Sequence, residues 1–385
     1  MTEPARSVPL TVCSVCGSSV PAGEYCGACG AGLVAGAPSP AARTHAYAAN
    51  PNEHILHFNV VSTLFPHLPH RRTAPFRIAL LLGAVSLLVL GYLRLTGPAI
   101  AAAALIVPVL YLAYLYEVEV YEEAPVHVIG STFVVGLLGG ALWANATGQY
   151  ITQTLLLNVA QGATTDRIII AAVVFPLLAL ALMLAGPLIL FFTGKFDEAL
   201  DGFTFGATSA MGFALASTVV NLWPSLKEGL QTGAPATDNA LVILQRGLLI
   251  PFIYATITGG VAGALWLARG RRRRLPVRGW TTSLWLNLAI AVAVMVGLGF
   301  VNIYLLPESS VAVIYAVVAV ALLLWVRVAL HYMLLAEAVE VTIGPEMVCS
   351  HCHRIVPRMA FCPHCGIATR ATPKSGAGRR GRGVR

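Results

Sequence analysis

The sequence predicts an all-α polytopic membrane protein, a bundle of about eight transmembrane helices with a small cysteine-built module at each terminus, and three observations lead to it. Of 385 residues 57% are hydrophobic and 11% are charged, with a mean hydropathy of +0.75. A water-soluble domain carries about 25% charged residues, so an ordinary soluble fold is excluded. The apolar residues also gather into stretches of about 20, the length a helix needs to cross the hydrocarbon core. Finally, every cysteine falls in one of two copies of a single motif, Cys13-x2-Cys16-x9-Cys26-x2-Cys29 and Cys349-x2-Cys352-x9-Cys362-x2-Cys365.

Spans are expected at residues 76–93, 97–116, 126–147, 168–193, 202–222, 247–268, 281–305 and 311–332. The fifth is rich in Gly, Ser and Thr, yet it holds no charge and lies between two more apolar stretches. An even count puts both ends of the chain on one side, and arginine placement says which. Arg71, Arg72 and Arg77 precede or open the first span, Arg269, Arg271, Arg272, Arg273, Arg274 and Arg278 join the sixth to the seventh, and Arg379, Arg380, Arg382 and Arg385 follow the last. All of these fall on one side, whereas the opposite loops hold only Arg94, Arg167, Lys227 and Arg246. A multi-pass cell-membrane protein with both termini in the cytoplasm is therefore expected, where thiols stay reduced. No apolar run begins before about Phe76, so no signal peptide is expected. The net charge of +8 follows from the same arginines, each worth about 1 kcal/mol near anionic lipid headgroups. The basic tail is read in this way too; the bilayer, not nucleic acid, is its expected partner.

Three spans carry glycines four residues apart, Gly136 with Gly140, Gly202 with Gly206 and Gly259 with Gly263. That spacing lets helix backbones approach closely, so these spans are expected at the centre of the bundle. Pro176, Pro187 and Pro251 are candidates for kinks in the fourth and sixth spans. Arg327 and His331, near the inner end of the last span, are expected to snorkel to the surface. Glu117, Glu119, Glu122 and Glu123 with His127 read as a solvated loop.

The two cysteine motifs are one unit repeated. Counterparts 336 residues apart include Val12 and Val348, Val20 and Val356, Pro21 and Pro357, Tyr25 and Phe361, and Gly30 and Gly366. Two C-x-x-C turns on a short hairpin present four thiolates to one ion, the tetrahedral set that Zn2+ takes in closed structural sites. About 25 residues bury too little surface to fold alone, and metal binding contributes about 10–16 kcal/mol in zinc-finger peptides. Two structural Zn2+ ions are thus expected, on Cys13, Cys16, Cys26 and Cys29 and on Cys349, Cys352, Cys362 and Cys365. Disulfides or an iron cluster are the competing readings, and paired C-x-x-C turns favour zinc over both. His351, His353 and His364 crowd the second copy as alternative ligands, but four matching cysteines make them bystanders. A closed four-thiolate site has no open position for catalysis.

The domain organisation expected is an N-terminal zinc ribbon at 10–31, a linker and interfacial segment at 32–75, a membrane domain at 76–335, a C-terminal ribbon at 346–368 and a basic disordered tail at 369–385. The linker begins Ala/Pro-rich and ends in an apolar–polar mixture with His54, His57, His67 and His70, which lack ligand spacing on a defined helix.

Within residues 76 to 335, Tyr121-Glu-Glu-Ala-Pro125, Lys195-Phe-Asp-Glu-Ala-Leu-Asp-Gly202, Gly206-Ala-Thr-Ser-Ala-Met-Gly-Phe-Ala214 and Leu249-Ile-Pro-Phe-Ile-Tyr-Ala-Thr-Ile-Thr-Gly259 resemble the PrsW-type intramembrane metalloproteases of the CAAX-protease-like group. The resemblance implies a helical membrane fold with a metal held by glutamates and a histidine. The adjacent glutamates it implies after an apolar-Pro-apolar stretch would fall within Leu177–Met183, in the neighbourhood of Ala179 and Leu180, a third glutamate at Ser217 and the histidine at Tyr254. No substitutes are near. Between His127 and His331 there is no histidine, and from Ile168 to Leu306 the acids are Asp197, Glu198, Asp201, Glu228 and Asp238, all outside the expected hydrocarbon core. Metal-assisted hydrolysis needs a Lewis acid and a base for water. The expectation is therefore a catalytically degenerate member, with no catalytic residues assigned, which binds membrane and cytoplasmic proteins as a scaffold. An active intramembrane metalloprotease is the alternative. A solute transporter would show paired intramembrane charges, and only Arg246 approaches a span.

Overall fold

Strands and helices follow one another with the cysteine modules outermost, in a computed structural model that describes residues 9–33, 46–64, 66, 73–117, 126–159, 162, 164–225, 235–269, 280–304, 306–338 and 343–371. Hairpin β1 (Leu10–Val12) and β2 (Ser19–Pro21) opens the chain, and β3 (Ala46–Tyr47) with β4 (Asn50–His54) forms a second antiparallel pair before the short helix α1 (Val60–Leu64). The bundle comprises α2 (Thr73–Tyr92), α3 (Thr96–Glu117), α4 (Val126–Val159), α5 (Thr165–Ile169), α6 (Phe175–Thr193), α7 (Ala199–Leu222), α8 (Ala236–Leu244), α9 (Ile250–Arg269), α10 (Leu284–Ile303) and α11 (Glu308–Glu337). A third hairpin, β5 (Glu346–Val348) with β6 (Ile355–Pro357), follows. The expected tail beyond 371, the linker at 34–45, His67 and His70, the acidic run 118–125 and the arginines 271–274 and 278 lie outside the described residues.

Among the described residues, eight helical spans are long and apolar enough to cross a membrane, as the sequence predicts. Two of them are composite. A π-helical stretch, Ile170–Val174, joins α5 to α6, and another, Gln245–Leu249, joins α8 to α9. Each ends two residues before a proline, Pro176 and Pro251. A proline has no N–H for the carbonyl four residues back, and a π turn is one way a helix absorbs the break. The sixth span consequently begins at Ala236, not near 247, and the fourth at Thr165.

Helix α7 forms the centre, buried between α4 and α9. Glycine permits it. Gly136 and Gly140 of α4 lie on the backbone carbonyls of Ser209 and Phe213. On the other side a Cβ at Gly202 or Gly206 would fall 2.7 Å from Ala262 O or Thr258 O, and one at Gly259 would fall 2.7 Å from the Phe203 ring. No larger residue fits at these five without displacing backbone or ring, and a Cβ at Gly263 would fall 3.2 Å from Ala199 O, so all three glycine pairs act at the helix crossings for which their spacing suits them. Around this centre α10 packs on the π stretch before α6, where Gly299 meets Ala172, and α2 packs on α8, where Gly91 meets Ala240.

Arg327 and His331 do not reach the surface: both are buried, with relative exposures of 0% and 1%. The segment expected as linker and interface covers them instead. His331 Nδ1 accepts the Ala48 N–H (3.0 Å). Arg327 donates to Ile55 O (2.9 Å), Ser62 Oγ (2.6 Å) and Glu53 Oε2 (2.7 Å), with its guanidinium 4.0 Å from the centre of the Tyr47 ring. Full pairing wins over snorkelling because a buried cation is tolerated once its donors and charge are met. Burial pushes Tyr47 up to about 12. It pushes Glu53 up as well, but the bonds from Ser62, Arg327 and Asn59 and the Arg327 charge outweigh it and hold this carboxyl below its ordinary value.

Candidate metal centres

Each cysteine tetrad is assembled by a hairpin and two tight turns. In the first module the hairpin pairs Leu10 with Pro21, Thr11 with Val20 and Val12 with Ser19, which places Cys13 and Cys16 at the hairpin end. Gly17 N–H closes back on Cys13 O (2.8 Å) and Gly30 N–H on Cys26 O (2.7 Å). The second module repeats these bonds as His353 on Cys349 (2.8 Å) and Gly366 on Cys362 (2.9 Å). All four turn residues have positive φ, 70° at Gly17, 74° at Gly30, 58° at His353 and 74° at Gly366. Glycine suits such a turn, and His353 adopts it where its counterpart is Gly17.

The sulfurs converge. Cys13 and Cys29 are 3.8 Å apart, Cys16 and Cys26 3.7 Å, Cys349 and Cys365 3.9 Å, and Cys352 and Cys362 3.8 Å. Four sulfurs at tetrahedral corners around one ion, with metal–sulfur bonds of about 2.3 Å, are separated by about 3.8 Å. Both tetrads therefore fit a four-thiolate metal ion, with the ligand atoms of each set lying within 4.8 Å of one another. No disulfide joins any of these eight cysteines, so the disulfide reading is not the one the fold adopts. A hydrogen bond from Cys29 lowers Cys26 to about 5, and hydrogen bonds from Cys362 and Cys365 likewise lower Cys349. Burial raises Cys13, and hydrogen bonding with Cys349 raises Cys362 and Cys365, so in each tetrad one cysteine is favoured to lose its proton first and give the thiolate, the species a metal binds. Of the nearby histidines, His364 is engaged elsewhere: its Nδ1 lies 3.1 Å from Glu24 Oε1 and 3.4 Å from Arg354 Nη1.

The second module also touches the bundle and the segment that covers it, a contact that no sequence pattern foretold. Ala368 N–H donates to Ala48 O (2.9 Å). Arg370 reaches Glu198 (3.5 Å) and Glu337 (3.3 Å), and Glu337 Oε1 accepts the Ala199 N–H (2.6 Å) at the start of α7. The signal available in the sequence was slight, an arginine just beyond the second motif and a glutamate ending the last span.

Inside the bundle, the positions to which glutamates and histidine were assigned by resemblance are packed among apolar groups. Ala179 and Leu180 are buried in one cluster with Met183, Ala210, Phe213 and Ile253. The Phe213 ring stands between Trp143, 5.7 Å away, and Tyr254, 5.9 Å away. Ser217, one turn beyond Phe213, is buried and its hydroxyl bonds to Ala214 O (3.2 Å) on its own helix. Trp143 donates to Phe175 O (2.9 Å), and the Thr258 hydroxyl lies 3.8 Å from Met183 Sδ. No group in this cluster offers a metal two hard ligands.

Comparison with known proteins gives one match. No curated protein and no solved structure resembles the chain significantly. The model of the PrsW family intramembrane metalloproteases matches residues 124–326, a region that spans α4 to most of α11 and contains the whole glycine-packed centre. More than half of the chain lies in that match, and the protein belongs to the PrsW family.

Proposed function

We propose that this protein is a non-cleaving member of the PrsW family, a pseudoprotease that binds membrane proteins through its bundle and cytoplasmic proteins through two zinc ribbons. The observation that carries the reading is the set Ala179, Leu180, Ser217 and Tyr254, which stands where the resemblance calls for three glutamates and a histidine. Hydrolysis of a peptide bond in a membrane needs a Lewis acid and a general base. Alanine and leucine supply neither, and the surrounding Met183, Phe213 and Ile253 leave the region apolar. Zinc is the ion proposed for both tetrads, since four thiolates at this spacing suit its closed structural sites. A cytoplasmic position for both termini is supported by the arginine asymmetry and by the reduced thiols that zinc requires. The two modules touch one another, so they share whichever side they occupy.

Reconstitution tests this reading against the active protease that the family name suggests. Purified protein in proteoliposomes is supplied with tagged single-span membrane proteins, and their lengths are followed on gels. The expected result is no shortening, together with co-purification of at least one of them. Cleavage that is lost on Ser217→Ala or Tyr254→Phe would overturn the proposal and point to a variant site at those hydroxyls.

A further inference from the structure

The offset of 336 residues that relates the cysteine motifs also relates the contacts between them. Tyr25 donates its backbone N–H to Pro363 O (2.9 Å), and its counterpart Phe361 donates to Gly27 O (2.8 Å), Gly27 being the counterpart of Pro363. A Cβ at Gly30 would fall 2.9 Å from the Phe361 ring, and one at Gly366 would fall 2.7 Å from the Tyr25 ring. Gly27 lies against the Met359 side chain, and Gly23, the counterpart of Met359, would place a Cβ 2.6 Å from Pro363 O. Each of these contacts made in one direction is returned in the other, the rule of an isologous interface in a twofold dimer. Here both halves belong to one chain.

The shared surface lies beside the ligands. Gly30 follows Cys29 and Gly366 follows Cys365, so each partner ring covers the second cysteine turn of the other half. Met359 packs into the apolar cluster formed by Cys13, Val20, Cys26 and Cys29. A unit of about 25 residues has little core of its own, and these two complete each other's.

We propose that the two tetrads are halves of one two-metal clasp: each half, folded on its own ion, holds the second cysteine turn of the other shut, so that metal lost from one tetrad loosens the other. The inference rests on the metal reading of the tetrads and adds their coupling. Because the C-terminal half is tied to the bundle through Ala368 and Arg370, the clasp is also what fastens the N-terminal half to the membrane domain.

The test uses the full chain in detergent, prepared with zinc under reducing conditions. Metal is counted by plasma mass spectrometry, release is followed with a chromophoric chelator, and freed thiols are located by alkylation and peptide mapping. In Cys26→Ser/Cys29→Ser the ion held by Cys349, Cys352, Cys362 and Cys365 should leave about tenfold faster than in the parent. Gly23→Val changes no ligand, yet its side chain strikes Pro363 of the other half, so it should raise alkylation of Cys362 and Cys365 by about tenfold. Met359→Ala is the converse probe, with the thiols freed at Cys26 and Cys29. Parental release from the opposite tetrad in all three variants overturns the clasp and leaves the metal reading standing. A parent protein that holds no zinc overturns both.

Discussion

Replacing Glu53 with glutamine should detach the segment 46–64 from the last helix, and the structure sets the size of the effect. Arg327 and Glu53 side chains are 0% and 11% exposed. The guanidinium has five donors, and its contacts at Ile55 O, Ser62 Oγ, Thr63 Oγ1, His54 O and Glu53 Oε2 engage every nitrogen. Only Glu53 among these partners carries a charge. The amide of Glu53→Gln would keep the shape and leave a buried cation uncompensated, a loss of about 3–5 kcal/mol. If the segment opens as a local unit, amide exchange across residues 47–63 should accelerate by about 10²–10⁴-fold, measured by mass spectrometry in detergent. The double variant Glu53→Gln/Arg327→Met removes both the charge and its need for a partner, and it should recover most of the protection. Exchange in Glu53→Gln within about twofold of the parent, or a double variant as open as the sum of the two singles, would refute the reasoning.

The same pair gives a pH dependence whose sign follows from the lowered value of Glu53: its contribution is complete above the ordinary carboxylate value of about 4.3 and disappears as pH falls through the lower folded value. Protection of residues 47–63, corrected for intrinsic exchange rates, should therefore hold from pH 7 to about 4.3 and fall only below it, and in Glu53→Gln this acid step should vanish. Gly206→Leu should separate α7 from α9, since its Cβ would fall 2.7 Å from Thr258 O; overpacking costs about 1–3 kcal/mol or more, read as a lower unfolding temperature, while Gly297→Leu, which meets nothing within 4 Å, should leave it unchanged. Reporter fusions after Gly30 and after Arg385 should give the same cytoplasmic signal and an insertion near Thr232 the opposite one; opposite signals at the two ends would mean an odd number of crossings.

Different parts of this molecule were legible to different degrees, for physical reasons. A span announces itself locally, because 20 apolar residues have few other uses, and even the Gly- and Thr-rich α7 could be read since it lacks charge. Its boundaries with polar chain were harder. Asp238, Asn239, Gln245 and Arg246 look like loop, yet the helix runs through them because α8 packs on α2 and Asn239 and Gln245 are buried. The tetrads were legible since a four-thiolate site is written in spacing. Their pairing was written only as equality of offset, visible once counterparts such as Tyr25 and Phe361 are seen to meet each other's glycines. Arg327 and His331 misled for a related reason. Their nearness to a span end suggested solvent, whereas their partners, Glu53 and Ala48, lie 274 and 283 residues away and no local pattern reveals them.

The match to the PrsW family covers the packed centre of the bundle, residues 124–326. The stretches that bear the resemblance, 195–214 and 249–259, contain Gly202, Gly206, Gly212 and Gly259, the residues on which α4, α7 and α9 meet. The chemistry would reside instead at 179, 180, 217 and 254, and at these positions the chain has residues that pack. Fold does not determine function, because helix contact and catalysis draw on different side chains of the same helices. In α7 the two requirements are separable by a single turn: Phe213 fills the space between Trp143 and Tyr254, and Ser217, four residues on, turns its hydroxyl to its own backbone. Family membership therefore leaves open whether peptide bonds are cut, and that question is to be decided at those four positions.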